Sequence, residues 1–272
     1  MSTLIETCAG MAGVTCRALL GKKAKPPTKY LGNKVPYAEE TLALLGCDTF
    51  DRYVLVDPGL PGLVWAVLVA DGHEVLRLLR RDEEEHAETL WHRTKTQPLP
   101  GSPEEMVAAW LVLQAGNANS KPVGLRPDGS WRTAGYGKLS PSAVRKGFKD
   151  RFVMPRLIAD VAAVVGALDG ARVEVVVGRA EEALQGRDLT DAYVYMDPDY
   201  EDRTGYAHGF PREAVLRTAR DACARGARRV GVAEAAPLDG ALPGWSAHVL
   251  TRRHWSQSKF SNKQEYLTVS PR

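Results

Sequence analysis

Short β-rich runs alternate with helix-length segments along most of this chain, and no other feature narrows the fold so far. RYVLVD at 52–57, RVEVVVG at 172–178, AYVYMD at 192–197 and RRVGVAEA at 228–235 are of strand length, and a first short run holds Leu4 and Ile5. Helical stretches separate them, among them 14–21, 36–46, 62–70, 74–92, 103–115, 155–168, 180–186 and 211–225. That alternation predicts an α/β fold with a mostly parallel sheet covered on both faces. The last two runs, AHVLTRRH at 247–254 and QEYLTVS at 264–270, suit an antiparallel hairpin at the sheet edge.

One stretch interrupts the pattern. Residues 116–151 are rich in Gly, Asn, Ser and Pro and carry Lys121, Arg126, Arg132, Lys138, Arg145, Lys146, Lys149 and Arg151 against only Asp128 and Asp150. The expected organisation is a sheet domain made of 1–75 and 152–272, with a helical and basic lobe inserted at 76–151. Across 272 residues the net charge is only +3, so the distribution of charge has to carry any argument for a polyanionic partner. Cys8, Cys16, Cys47 and Cys223 form no Cys-x-x-Cys pair and have no His at ligand spacing, which favours reduced thiols and no metal site. The longest apolar run, GLVWAVLVA, is too short to span a bilayer, and no secretory signal is expected from the first residues. A cytoplasmic protein without a membrane partner is the expectation.

Ligands of open α/β sheets bind beyond the carboxyl ends of the strands, and three strand exits here carry informative residues. After the first run, Gly10, Ala12 and Gly13 make a small-residue turn into a helix, where a ligand can lie against backbone N–H groups or the chain can simply pack tightly. After the second stands Asp57, suited to accept from ribose hydroxyls and equally to cap the helix that follows DPG. After AYVYM comes Asp197-Pro198-Asp199-Tyr200: an acid, a fixed φ, a second acid and a flat ring.

Together the three exits resemble the DNA adenine methyltransferases of the Dam type. ETCAGMAGV is similar to that family's glycine-bearing first motif, LVDPGLPGLVWAVL to its second, and YVYMDPDYEDRTGY to its Tyr-x-Asp-Pro-Pro-Tyr catalytic motif. RPDGSWRTAGYGK, KYLGNK and SKFSNKQEYLTV resemble three further family segments, so the likeness covers most of the chain. It implies a Rossmann-like class I methyltransferase sheet with S-adenosylmethionine as methyl donor and double-stranded DNA as partner, in a monomer or weak homodimer of the restriction–modification kind. It further implies that Asp197 and the Pro198 carbonyl accept hydrogen bonds from the target amine, with Asp199 beside them, and that Tyr200 stacks on a base flipped from the duplex. Glu6, Cys8, Ala9, Gly10, Gly13, Asp57, Tyr30 and Lys34 are the implied cofactor residues. Arg126, Arg132, Lys138 and Tyr206 are the implied DNA contacts, with Trp131, Tyr136 and Phe148 interleaved among the cations.

The departures from the family pattern are specific. Asp199 replaces the second Pro, Cys8 stands where Phe is favoured, and Ala12 where Gly is favoured. No Asp-Phe pair lies near Gly178, Arg179 and Ala180. KYLGNK follows the first motif instead of preceding it, and is expected to keep its place in space from a new place in the chain. Two other readings stay open: a related enzyme acting on another base or group, and a degenerate methyltransferase fold that binds DNA or a protein. His254 and the basic helix after Pro211 receive no functional role.

Overall fold

The structure is a computed structural model that describes residues 1–21, 26–28, 34–138, 152–198, 210–251 and 264–271. The chain forms two compact units, one of Met1–Ala24, Lys34–Ala66 and Gly170–Arg272, the other of Lys25–Asn33 and Val67–Asp169.

The first unit is built on a seven-stranded sheet. Its strands are β1 (Thr3–Thr7), β2 (Arg52–Val56), β5 (Val173–Val176), β6 (Ala192–Met196), β7 (Arg229–Glu234), β8 (Ser246–Leu250) and β9 (Glu265–Val269). They lie in the order β5-β2-β1-β6-β7-β9-β8. All pairs from β5 to β7 are parallel, and β9 runs antiparallel between β7 and β8. This is the expected mostly parallel, Rossmann-like sheet with its antiparallel C-terminal pair. Alternate residues of each strand feed opposite core layers, as the period of two demands. On one face Ile5, Val54, Val194 and Val230 pack with Leu184 of α7 (Ala180–Leu184) and Val215 and Ala219 of α8 (Arg212–Ala224). On the other, Leu4, Tyr53, Tyr195 and Leu267 pack with Val14 of α1 (Gly13–Leu20) and Leu42 and Leu45 of α2 (Ala38–Leu45).

The second unit holds most of α3 (Leu60–Arg81), together with α4 (Ala87–Thr96), α5 (Pro103–Gly116), α6 (Met154–Asp169) and a two-stranded ribbon, β3 (Gly124–Leu125) with β4 (Trp131–Arg132). Ser102 starts α5 by accepting from the Glu105 N–H at 3.1 Å, with Pro103 in the first turn. The helical stretch expected at 74–92 is broken between α3 and α4. Four acids, Asp82 to Glu85, follow the carboxyl end of α3, where the helix dipole disfavours negative charge. Arg93 holds the bend, reaching Asp82 at 3.0 Å and Glu85 at 2.6 Å. This unit takes in 67–75 and 152–169 as flanks of 76–151. The flanks belong there because α3 and α6 meet closely: a Cβ on Gly72 would stand 2.7 Å from a Val165 methyl.

Candidate functional site at the strand exits

β1 is the point where the sheet's connections diverge, with β2 and β5 to one side and β6 and β7 to the other. A crevice at the carboxyl end of such a strand is the usual ligand site of open α/β folds. The three central strands end level, since Thr7 is opposite both Val56 and Met196. Cys8, Asp57 and Asp197 therefore leave the sheet along one edge.

The turn after β1 is tightly wound. Cys8, Gly10 and Ala12 all have left-handed φ, at 53°, 48° and 48°. Hydrogen bonds hold it there: the Ala9 N–H donates to the Val56 carbonyl at 3.0 Å, and the Trp65 indole N–H donates to the Gly10 carbonyl at 3.0 Å. Gly13 is the first residue of α1 and is buried. Glu6 sits behind the turn and is 2% exposed; its carboxylate accepts from the N–H groups of Thr15 at 2.7 Å and Val14 at 3.3 Å. Burial pushes the Glu6 carboxyl up to about 7, against those hydrogen bonds and with a further push from Asp197. Buried on β1 and turned to the first N–H groups of α1, the Glu6 side chain supports the loop between them.

Asp57 combines the two roles weighed for it only in part. One carboxylate oxygen accepts from the Gly10 N–H at 2.9 Å and the other from the Gly59 N–H at 2.8 Å. It ties the first turn to the start of α3.

Asp197 is set differently. Its Oδ1 lies 3.2 Å from the Lys34 Nζ, and the same ammonium is 3.3 Å from Glu265 Oε2 on β9. Lys34 is 4% exposed, and the Asp197 and Glu265 side chains 18% and 9%. Burial pushes the Asp197 carboxyl up to about 6; Lys34 opposes the rise, while Glu265 and Glu234 add to it. Among the described residues its Oδ2 accepts no hydrogen bond. Pro198 follows, buried. The out-of-order KYLGNK segment thus does bring its last lysine to the Asp-Pro corner. Glu265 was read only as part of a terminal strand motif, and its pairing across the sheet carried no sequence signal.

The basic residues lie in the second unit. Arg126 is exposed, yet its guanidinium donates to the Trp131 carbonyl at 2.6 Å and to Ser130 Oγ at 3.2 Å, closing the β3–β4 turn. Arg132 lies across that ribbon over Gly124, and Lys138 is exposed. Two of the interleaved aromatics pack inward: Trp131 is 1% exposed, and Tyr136 packs edge-on against Trp91 with ring centroids 5.6 Å apart. Their apolar area serves the core of this unit, which local composition does not reveal. Behind the ribbon, buried Gln114 and Asn117 organise the connecting loop, accepting from the N–H groups of Val123 at 2.9 Å and Ala134 at 2.8 Å. Asp199, Tyr200, Tyr206, Tyr30, Phe148 and His254 lie outside the described residues. Among the described residues no group of three or more His, Cys, Asp or Glu could hold a metal ion, and no described helix is long and apolar enough to cross a membrane.

No family model matches the chain, and no curated protein matches it. A solved structure, the rRNA methyltransferase aviRa of Streptomyces viridochromogenes, is similar at 14% identity and a TM-score of 0.35, over 99% of this chain and 76% of that one. A likeness that loose transfers neither substrate nor mechanism; the strand order and the site residues have to speak for themselves.

Proposed function

We propose that this protein is an S-adenosylmethionine-dependent methyltransferase that acts on the exocyclic amine of adenine in double-stranded DNA. The observation that carries the reading is Asp197. Its carboxylate stands at a strand exit beside the switch point, with Oδ1 held by a buried ammonium and no described partner at Oδ2. An amine conjugated to a ring is a poor nucleophile, and a carboxylate oxygen that accepts its proton in a hydrogen bond sharpens its lone pair. The Pro198 carbonyl is the natural second acceptor, since the ring fixes the backbone angle that aims it.

The residues present suit the cofactor. The left-handed turn at Cys8, Gly10 and Ala12 brings bare backbone close to the edge of the sheet, and Asp57 stands at the exit of the neighbouring strand, where an acid of an open α/β sheet accepts from ribose hydroxyls. Thr7 Oγ1, at the end of β1, is a buried polar atom with no described partner. When bound, S-adenosylmethionine supplies the electrophilic methyl group. Asp197 and Pro198 orient the amine, and Lys34 fixes the rotamer of Asp197, so that catalysis is mainly positioning. A base paired inside a duplex cannot reach such a corner, so the target has to be flipped out, at a cost of a few kcal/mol. Lys138 and Arg132 of the second unit are the phosphate-binding candidates that remain after Arg126 is assigned in part to its own turn.

The test is incubation with S-adenosylmethionine carrying a labelled methyl group, with duplex DNA, single-stranded DNA and ribosomal RNA as separate acceptors, followed by mass spectrometry of the nucleosides. Label in N6-methyladenine from the duplex is expected. Label on another base or in RNA alone overturns the assigned substrate, and no transfer together with no cofactor binding overturns the enzyme.

A further inference from the structure

The Lys34 ammonium is shared. It lies almost midway between two carboxylates from distant parts of the chain, 3.2 Å from Asp197 and 3.3 Å from Glu265, and all three side chains are largely enclosed. One acid would be enough to neutralise a buried lysine. The second has a geometric consequence: Glu265 opens β9, which is wedged between β7 and β8, so its carboxylate is anchored by the sheet and not by a flexible loop. Ammonium charge drawn toward Glu265 is charge withheld from Asp197.

We infer that Glu265 is a positioning residue for Asp197: by sharing Lys34 it keeps that ammonium from fully neutralising the carboxylate, and so keeps Asp197 a strong hydrogen-bond acceptor. The inference rests on the proposed role of Asp197 as the amine's acceptor. The charged groups that face Asp197 are Lys34, Glu265 on β9, Glu234 at the end of β7, and Glu6 on β1. Glu265 also holds the lysine, at 3.3 Å.

Because the effect is electrostatic, it is read directly in the full-length protein without substrate, from the Asp197 carboxyl carbon in an NMR titration. Glu265→Gln, which keeps the shape and removes the charge, should move the Asp197 midpoint to lower pH, because one repelling charge is gone and the ammonium turns wholly to Asp197. Lys34→Met should move it to higher pH. Glu265→Asp, which keeps the charge, should leave it near the wild-type value, and this variant separates charge from packing. In methyl transfer, Glu265→Gln should lower kcat by about tenfold with KM for DNA little changed, and the acid limb of the kcat profile should follow the titration downward. A midpoint that stays put in Glu265→Gln while Lys34→Met shifts it would overturn the inference, as would a loss of thermal stability with an unmoved pH profile. Absence of methyl transfer by the wild-type protein would count against the proposed function, while the carboxyl titration would still decide whether Glu265 tunes Asp197.

Discussion

Asp57 and Asp197 occupy equivalent places on either side of β1, each immediately after a parallel strand paired in level register with it. Their surroundings divide their work. Asp57 has a backbone N–H on each oxygen, from Gly10 and Gly59, and so acts as a clamp between two loops. Asp197 has a lysine on one oxygen and, among the described residues, no hydrogen bond on the other. An acid at a strand exit is therefore not yet a site. What distinguishes the two is whether local N–H groups reach the carboxylate first, and after β2 the turn through Pro58 and Gly59 supplies one at once.

The largest effect expected from that contrast is on catalysis. Asp197→Asn should lower kcat for methyl transfer by about 10²–10³-fold, with cofactor binding and the unfolding midpoint close to wild type. Asp57→Asn should leave kcat within about tenfold and act mainly on cofactor affinity. Equal losses of kcat in the two variants would erase the distinction. The pH profile adds a sign. Asp197 is a far stronger acceptor when ionised and its carboxyl is pushed up to about 6, so activity should rise as pH increases through that value.

A third acid on the same edge, Glu6, sharpens the comparison through stability. Its carboxyl rises from the ordinary 4.5 to about 7. An acid raised in the folded state binds its proton more tightly there than in the unfolded chain, so its contribution is fully present below pH 4.5 and is lost as pH rises to about 7. At about 1.4 kcal/mol per pH unit the loss is about 3 kcal/mol. Glu174 and Asp191, both lowered by arginine or amino-terminal partners, work in the opposite direction and are felt only as pH falls into the carboxylate range. Chemical denaturation of wild type and Glu6→Gln between pH 5 and 8 should show a slope in the first that is much reduced in the second; parallel curves would contradict the burial argument.

Next in size is the clamp itself. Asp57→Ala leaves two N–H groups without their acceptor and should cost about 2 kcal/mol of stability. A binding titration with that variant therefore needs its unfolding curve beside it. Asp57→Asn, which can still accept from Gly59, should cost about half as much.

These contrasts were unevenly legible in the sequence. The strands could be read because burial on both faces leaves runs such as YVLV and AYVYM, and the order of strand and helix then restricted the sheet. The Asp197-Pro198 corner and Lys34 were recognisable as residue types even with KYLGNK out of its usual order. Glu265 was not, because it reaches Lys34 across 231 positions and only the insertion of β9 beside β7 brings it there. Trp131 and Tyr136 stand among cations in the sequence, and composition does not say which side of a ribbon is buried. The close fit of Gly72 and Val165 is likewise a tertiary contact with no local signature.

The smallest effect tests whether Asp57 holds the neighbouring turn under strain. Ala12 begins α1 with φ 48° and ψ 54°, a left-handed conformation that costs an L-residue roughly 1–2 kcal/mol. Ala12→Gly removes that cost, but it also gives up a buried methyl, worth about 0.8 kcal/mol, and frees the unfolded chain by about 0.4–1 kcal/mol. The terms nearly cancel, so stability should change by less than about 1 kcal/mol. Ala38, equally buried but with an ordinary right-handed φ of −60°, has no strain to release. Ala38→Gly should therefore cost about 1.5–2 kcal/mol, from helix propensity and the lost methyl together. Matched denaturant curves for the two variants give the difference without needing either absolute value. If Ala12→Gly proves as costly as Ala38→Gly, the turn after β1 stores no strain, and the N–H that Asp57 takes from Gly10 fastens a loop that was already at rest.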